Sequence, residues 1–257
     1  SIWVTGVQTC ALPIYGALVA LSLPAIAAAI FVTRGLWRMF WMAAAAFAAL
    51  TLIMTVSRGA YVATAFAALL ALYLFRRYVR PTKLMMAVAC SLAVAVLAVG
   101  VAYSLGFGDL LGRRMLGSAV KTSDLSGLSS GRTDIWVSVV GMMLENPLTM
   151  LTGFGWNAYA AMPFRWNTHN SYLLAWFNLG VPGLVCTVLL LVVPIKVALS
   201  ASRVANATVR PHLIGFVVGT TALAVALFFV NLFSPWLFVW AYVGTDRKST
   251  RLNSSHP

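Results

Sequence analysis

The apolar residues of this 257-residue chain are gathered into runs that are long enough to cross a lipid bilayer. A helix rises about 1.5 Å per residue, so crossing about 30 Å of hydrocarbon takes roughly 20 apolar residues. Hydrophobic residues make up 61% of the chain and charged residues only 9%, whereas about a quarter of the residues in a soluble protein are charged. A soluble core could not absorb this much apolar surface. The sequence therefore predicts an all-α fold, a polytopic helix bundle in a membrane.

Six segments have the length and composition of transmembrane helices. The fifth is expected to break near Val181, Pro182 and Gly183, and Asn231 and Pro235 mark a kink or an end within the sixth. Residues 15–105 hold four of the six, residues 106–171 form one large polar loop that contains short helices, and residues 172–243 hold the other two. The six segments are 15–32, 39–56, 60–75, 84–105, 172–199 and 212–243.

The two ends differ abruptly from the sequence beside them. Residues 1–14 (SIWVTGVQTCALPI) and 245–257 (TDRKSTRLNSSHP) resemble translated sequencing-adapter DNA. We expect both to be non-native, with further helices of the natural protein outside this fragment. Neither end is therefore interpreted as a signal peptide or a basic arm.

Positive charges predict which side of the membrane each loop faces, because short loops rich in Lys and Arg stay in the cytoplasm. Nine cations and no acid lie in or at the edges of the stretches between the first and second, third and fourth, and fifth and sixth segments, whereas the large loop carries five cations against four acids. The large loop is therefore expected to face the periplasm of a bacterial inner membrane. The net charge of +13 then requires no nucleic acid as a partner. The nine cations are Arg34, Arg38, Arg76, Arg77, Arg80, Lys83, Lys196, Arg203 and Arg210.

The three cysteines indicate neither a disulfide nor a metal site. Cys10 lies in the stretch 1–14, which we expect to be non-native, and Cys90 and Cys186 lie within apolar segments. No spacing typical of metal ligands is present, so the sequence predicts no metal and no other cofactor.

Arg58 separates the second and third segments almost alone, in the sequence VSRGAY. An arginine that faces lipid costs several kcal/mol, so Arg58 is expected at the outer interface or inside the bundle. Two interpretations are open: an interfacial arginine that extends to lipid phosphate, or a fixed cation for an anionic substrate.

The segment SSGRTDIW begins a predicted helix on or near the membrane. Ser129 or Ser130 can cap this helix, and Pro147 follows its end. Arg132 in the first turn is unfavourable for the helix dipole. We therefore expect a phosphate or Asp134 to hold it, with a simple surface salt bridge as the alternative.

His169 stands in the sequence THNSY, at the start of the fifth segment. It is the only histidine between the two doubtful ends that this topology places on the outer side. A lone histidine is more often a hydrogen-bonded structural residue. Its interfacial position, which Arg58 and Arg132 can share, also suits a general base at neutral pH.

In these motifs the chain resembles the O-antigen ligase and O-antigen polymerase family of bacterial envelope glycosyltransferases. The matching pieces are SRGAY, GRTDIW, GFGWNAY, THNSYL with NLGVPGL, and the large outward loop, over roughly residues 34–243. The resemblance implies metal-independent transfer of a glycan from undecaprenyl diphosphate at the periplasmic face of the inner membrane. The acceptor would be lipid A-core, another glycan or a protein.

The resemblance also implies roles for individual residues. Arg58 and Arg132 would bind the diphosphate, since arginines can stabilise its charge in place of a metal. His169 would deprotonate the acceptor hydroxyl. Supporting roles in orienting the base, the substrate or Arg132 fall to three further residues: Asn170, Tyr172 and Asp134.

Other functions remain open at this point. A repeat-unit polymerase and a protein O-oligosaccharyltransferase of the same family differ from the preferred O-antigen ligase in their acceptor, which the sequence does not name. The scarcity of acids argues against a two-carboxylate glycosidase. A membrane transporter is favoured only by the breaks at Pro182 and Pro235. A non-enzymatic scaffold would leave Arg58, Arg132 and His169 apart.

Overall fold

A computed structural model describes residues 2–76, 132–162 and 168–231, with side chains from residue 12 onward, and a few single residues between 93 and 106. In this part of the chain all regular structure is α-helix, which confirms the predicted all-α membrane fold. The helices are α1 (Ile2–Val32), α2 (Gly35–Met54), α3 (Arg58–Phe75), α4 (Arg132–Glu145), α5 (Pro147–Thr152), α6 (Ala158–Ala161), α7 (Ser171–Val204) and α8 (Val209–Ala226).

Five of the described helices are long and apolar enough to cross a membrane: α1 from Leu12, α2, α3, α7 and α8. Their outer surfaces fit a lipid environment, because large apolar side chains such as Trp37, Phe47 and Leu69 are 67%, 73% and 67% exposed. The predicted segment 84–105 lies largely outside the described residues, as do residues 107–131 and 163–167 of the predicted loop.

The last described helix ends earlier than the sequence suggests. The sequence predicts a kink or an end at Asn231 or Pro235 within the segment 212–243, but α8 already ends at Ala226 and a turn follows. Pro235 lies outside the described residues. In a longer helix the carbonyl of Leu227 would accept a hydrogen bond from the backbone of Asn231. It accepts instead from the backbone N–H of Ser171, at 2.9 Å. A tertiary contact therefore replaces the next helical bond.

Small side chains let the membrane helices approach one another around α1, which packs against α2, α3 and α8. In lipid there is little hydrophobic drive between helices, so close packing of small residues holds such a bundle together. The alanines at these contacts are almost fully buried: Ala17, Ala20, Ala63 and Ala67.

The described cations of the predicted cytoplasmic loops, except Lys196 within α7, lie at one end of the bundle. There Phe31 of α1 stacks on Phe75 of α3, with ring centroids 5.9 Å apart. Arg210 of α8 folds back on the end of α7 and donates to the carbonyls of Ser202 and Ala205 at 3.0 and 2.7 Å. The opposite end, which we call the outer end after the orientation predicted from the cations, holds the first residues of α3 and α7 and the last residues of α8. The cations at the first end are Arg34, Arg38, Arg76, Arg203 and Arg210.

Helix α7 is broken sharply at Gly180, where φ is 64° and ψ is −157°. A Cβ on Gly183 would lie 2.7 Å from the carbonyl oxygen of Ala175, although these residues would be about 12 Å apart along a straight helix. Tyr172 and Leu191 likewise pack into one cluster. The residues before Gly180 (171–179, the first limb) therefore fold back beside those after it (181–204, the second limb). The sequence predicts this interruption at residues 181–183, which begin one residue after the observed break at Gly180.

The first limb carries a small helical unit on the outer end of the bundle. Its residues Leu173 and Phe177 form a buried cluster with Val139 and Met143 of α4 and Tyr159 of α6. We call α4, α5, α6 and the first limb the cap. Because the first limb belongs to both the cap and α7, the cap is fixed to a membrane helix rather than tethered by a loop.

The break in α7 also supplies the hydrogen bonds that hold the cap. Pro182 has no N–H, so it leaves the carbonyl of Asn178 without its helical donor, and the break at Gly180 frees the carbonyl of Phe177. These two carbonyls accept from the backbone N–H groups of Gly155 and Phe154, each at 2.9 Å. The motifs GFGWNAY and NLGVPGL are therefore packing partners.

We predict that Gly180→Ala destabilises the protein. This combination of φ and ψ is accessible essentially only to glycine, and a Cβ would clash with the carbonyl of Leu151. We expect a loss of roughly 2 kcal/mol or more, measured as a lower thermal unfolding temperature of the purified protein in detergent by tryptophan fluorescence.

The matched control is Gly141→Ala, within helix α4. A Cβ there meets nothing within 4 Å, and alanine favours a helix by about 1 kcal/mol over glycine. We expect this variant to unfold at or above the wild-type temperature. Wild-type unfolding of Gly180→Ala would contradict the described break.

Candidate functional site

Arg58 is the first residue of α3 and is half-buried at the outer end of the bundle. Ser57 caps the helix, its side chain accepting from the backbone N–H of Ala60 at 3.4 Å. Gly59 lies directly against the side chain of Phe229, in the turn after α8, where a Cβ would clash. This contact brings the Arg58 end of α3 beside residues 227–231.

His169 lies in a short turn before α7 and adopts a left-handed backbone conformation, with φ of 48°. This conformation costs a non-glycine residue about 1–2 kcal/mol, so surrounding contacts must maintain it. Asn170 caps α7, since its side-chain oxygen accepts from the backbone N–H groups of Tyr172 and Leu173 at 3.0 and 3.1 Å. Asn170 thus fixes the chain on the carboxyl side of His169.

Thr168 fixes the chain on the amino side of His169 and is completely buried. Its hydroxyl lies 2.9 Å from Nδ2 and 3.0 Å from Oδ1 of Asn231. The same hydroxyl lies 3.2 Å from the carbonyl oxygen and 3.4 Å from the backbone nitrogen of Asn170. The hydroxyl of Ser171 adds a bond of 2.7 Å to the carbonyl of Val230. The turn is therefore held from the segment that follows α8.

Arg132 reaches the same region through its neighbour one helical turn along α4. The indole N–H of Trp136 donates to the carbonyl of Thr168 at 2.8 Å. Residues four apart share one face of a helix, so this bond turns the Arg132 face of α4 toward the His169 turn. The expected capping residues Ser129 and Ser130 lie outside the described residues.

Electrostatic effects connect Arg58 to Arg132 and Arg132 to His169. Burial, and then the charge of Arg58, lowers the pKa of Arg132. Burial, and then the charge of Arg132, lowers the pKa of His169. Together with the contact of Gly59 with Phe229 and the bond from Trp136 to Thr168, these effects place Arg58, Arg132 and His169 around one region. An ordinary histidine has a pKa of about 6.5. Because the pKa of His169 is lowered from that value, the neutral form of its imidazole is favoured near pH 7.

The remaining residues singled out from the sequence lie around this group. Asp134 is exposed on α4, two positions from Arg132, a spacing that puts the side chains on different helix faces. The hydroxyl of Tyr172 donates to the carbonyl of Ala224 at 2.8 Å, so it is engaged in joining α7 to α8.

A family model described as O-Antigen ligase matches residues 43–188. The match spans more than half of the chain and takes in Arg58, Arg132, His169 and the break in α7. The chain belongs to the O-antigen ligase family. No curated protein matches it at a significant level. The family resemblance stated from the motifs is therefore confirmed, and with it a general function in glycan transfer on a multi-pass membrane protein.

In this O-antigen ligase family member the site combines two guanidinium groups with a neutral imidazole. Two fixed cations suit a ligand that carries at least two negative charges, and arginine binds phosphate oxygens through paired N–H groups. A neutral imidazole can accept a proton from a hydroxyl. Among the residues that the structure describes, no three His, Cys, Asp or Glu side chains come together.

Sequence reasoning did not assign a role to several residues that assemble the site. Thr168 was visible only as part of THNSYL, Trp136 as part of GRTDIW, and Asn231 only as a helix interruption. Asn231 did carry a signal, because an isolated amide in the apolar run FFVNLF is costly in a membrane unless it has a partner. That partner, Thr168, is 63 positions away.

We predict that Arg132→Gln raises the pKa of His169, because it removes a cation that disfavours protonation. Diethyl pyrocarbonate reacts with the neutral imidazole, so the pH at which its reaction with His169 is half-maximal reports this pKa. In the wild type the midpoint should lie below about 6.5, and in the variant it should move up toward 6.5.

The modification of each histidine is read by mass spectrometry of the digested protein. His212, in the first turn of α8 at the opposite end of the bundle, is the internal control and should keep its profile. An unchanged midpoint for His169 in Arg132→Gln would show that the two side chains do not interact.

Proposed function

We propose that this protein transfers a glycan from undecaprenyl diphosphate to an acceptor hydroxyl at the periplasmic face of the bacterial inner membrane, as an O-antigen ligase. Family membership establishes glycan transfer in general. The observation that carries the finer proposal is the grouping of Arg58, Arg132 and His169 at the outer end of the bundle.

The proposed reaction breaks the bond between the anomeric carbon of the glycan and the diphosphate oxygen. The acceptor oxygen forms a new bond to that carbon, and its proton passes to the ring nitrogen of His169. The leaving undecaprenyl diphosphate retains the bonding electron pair and gains one negative charge. Arg58 and Arg132 stabilise this charge, most strongly as it develops, and water then takes the proton from His169.

This assignment lets the two arginines carry the electrostatic work, without a metal. Burial and the charge of Arg58 both disfavour the charged form of Arg132. A diphosphate relieves both costs. The charge of Arg132 likewise favours the neutral form of the His169 imidazole, which a general base requires. Asn170 supports the base by fixing the backbone next to His169. Asp134 and Tyr172 would have a less direct role in orienting Arg132 or the substrate.

The identity of the acceptor distinguishes three possible activities that share one type of glycan transfer. Lipid A-core would make the protein a ligase, a second lipid-linked glycan would make it a repeat-unit polymerase, and a protein would make it an O-oligosaccharyltransferase. All three use the same donor chemistry. The break in α7 near Pro182 was one of two features that favoured a membrane transporter, because a transporter can bind a coupling ion at such freed carbonyls. Here the freed carbonyls accept hydrogen bonds from Phe154 and Gly155, so this feature does not support a transporter.

We predict that His169→Ala, Arg58→Ala and Arg132→Ala each abolish most transfer. A general base contributes about 10²–10⁴-fold, and loss of a charge-stabilising group costs about 10²-fold or more. The assay supplies undecaprenyl diphosphate-linked glycan and, in separate reactions, lipid A-core, a second lipid-linked glycan and a pilin-like protein to the purified protein in detergent.

The matched control is Arg38→Ala, which removes an exposed arginine from α2 at the opposite end of the bundle. It should transfer at the wild-type rate. Transfer that persists in His169→Ala or in both arginine variants would refute the assigned roles, and transfer to none of the acceptors by the wild type would refute the function.

The proposed orientation predicts which sites react with a membrane-impermeant maleimide in whole cells. In a variant without Cys10, Cys90 and Cys186, a cysteine at the exposed position Ser138 in α4 should be labelled. One at Ala207, in the exposed turn between α7 and α8, should react only after the inner membrane is permeabilised. The reverse pattern would invert the proposed topology.

A further inference from the structure

A side chain bridges the turn that carries His169. The hydroxyl of Thr168 lies within hydrogen-bonding distance of both backbone groups of Asn170, so it spans the residue between them. Threonine hydroxyls stabilise turns by such contacts with the backbone two residues on. His169 is thus the central residue of a turn that this one oxygen atom bridges.

That oxygen atom is held in place by a residue from the other end of the described chain. Thr168 can use its single proton in two ways: it donates to the carbonyl of Asn170 while accepting from Nδ2 of Asn231, or it donates to Oδ1 of Asn231 while accepting from the backbone of Asn170. In either arrangement the hydroxyl both donates and accepts. Asn231 therefore helps to fix the position of the hydroxyl that bridges the turn.

The position of the His169 imidazole depends on the left-handed backbone conformation of this turn. Rotation about φ swings the Cα–Cβ bond, so relaxation to an ordinary conformation would carry the imidazole away from Arg132. Asn231 also follows Phe229, which contacts Gly59 beside Arg58. One short segment therefore sets both the histidine and one of the arginines.

We propose that Thr168 and Asn231 form a positioning pair that holds His169 in the conformation needed for proton transfer. This inference rests on the proposed function, in which His169 is the base. Neither residue touches the substrate: the pair acts through the histidine. Removing the pair should therefore impair the use of His169 while leaving the arginines able to bind the donor.

The test compares Thr168→Val, which removes the hydroxyl at nearly constant shape, with Thr168→Ser, which keeps it. Thr168→Val should lower kcat by about 10–100-fold, because a small misplacement of a reacting group costs about 10²-fold, with the KM for undecaprenyl diphosphate-linked glycan changed by less than about 2-fold. Thr168→Ser should restore most of the activity. Asn231→Ala should reproduce the kcat effect independently.

Two readouts separate positioning from a general loss of stability. Combined with His169→Ala, Thr168→Val should cause no further loss, because the two changes disable the same step. The acid limb of the pH–rate profile should also move upward, toward the ordinary histidine value of about 6.5, as the imidazole leaves the buried site near Arg132. A merely destabilised protein would keep the wild-type pH profile per folded molecule.

The matched control is Thr221→Val in α8, which removes a hydroxyl whose only described bond runs within its own helix, to the carbonyl of Val217 at 2.8 Å. It should retain wild-type kcat and pH profile.

Wild-type kcat in Thr168→Val, or a loss with an unshifted pH profile, would overturn the positioning pair. So would recovery of both Thr168→Val and Asn231→Ala only as unfolded protein, which would make the pair purely structural. Activity in His169→Ala would instead overturn the proposed base. Inactive His169→Ala together with normal Thr168→Val would leave the proposed function intact and refute only the pair.

Discussion

The outer end of this bundle depends on hydrogen bonds between the start of α7 and the segment that follows α8. The last carbonyls of a helix lack intrahelical donors, and hydrocarbon offers no water to replace them. Here the backbone and hydroxyl of Ser171 satisfy Leu227 and Val230. These two bonds lie where α8 has ended and α7 begins, and they hold the base of the His169 turn.

The sequence motifs of the family divide between chemistry and packing, often within one motif. In SRGAY, Arg58 is the proposed phosphate ligand, whereas Gly59 admits Phe229. In THNSYL, His169 is the proposed base, whereas Asn170 and its neighbours cap and anchor a helix. GFGWNAY and NLGVPGL are joined by backbone bonds across the break in α7. One short motif therefore contains both a residue proposed for the reaction and the residues that hold it in place.

Backbone strain is concentrated where the proposed charges lie. Of the three non-glycine residues with positive φ in the described chain, His169 is one and Val56, two residues before Arg58, is another. Left-handed conformations are especially unfavourable for β-branched residues. Such strain persists only where surrounding contacts hold it and is common at functional sites. Here it sets the geometry in which burial and Arg132 lower the pKa of His169.

By itself, the sequence determined the membrane environment, the all-α fold, the family and the three proposed reactive residues. These follow from the length of apolar runs, the placement of cations and short local motifs, which are properties of neighbouring residues. Only the tertiary structure decided that α8 ends at Ala226, that α7 folds back at Gly180, and that Asn231 is the partner of Thr168. Each of these depends on groups far apart in the chain competing for the same hydrogen bond or space. The carbonyl of Leu227 bonds either to the next turn of its own helix or to Ser171, and local propensity cannot rank those two outcomes.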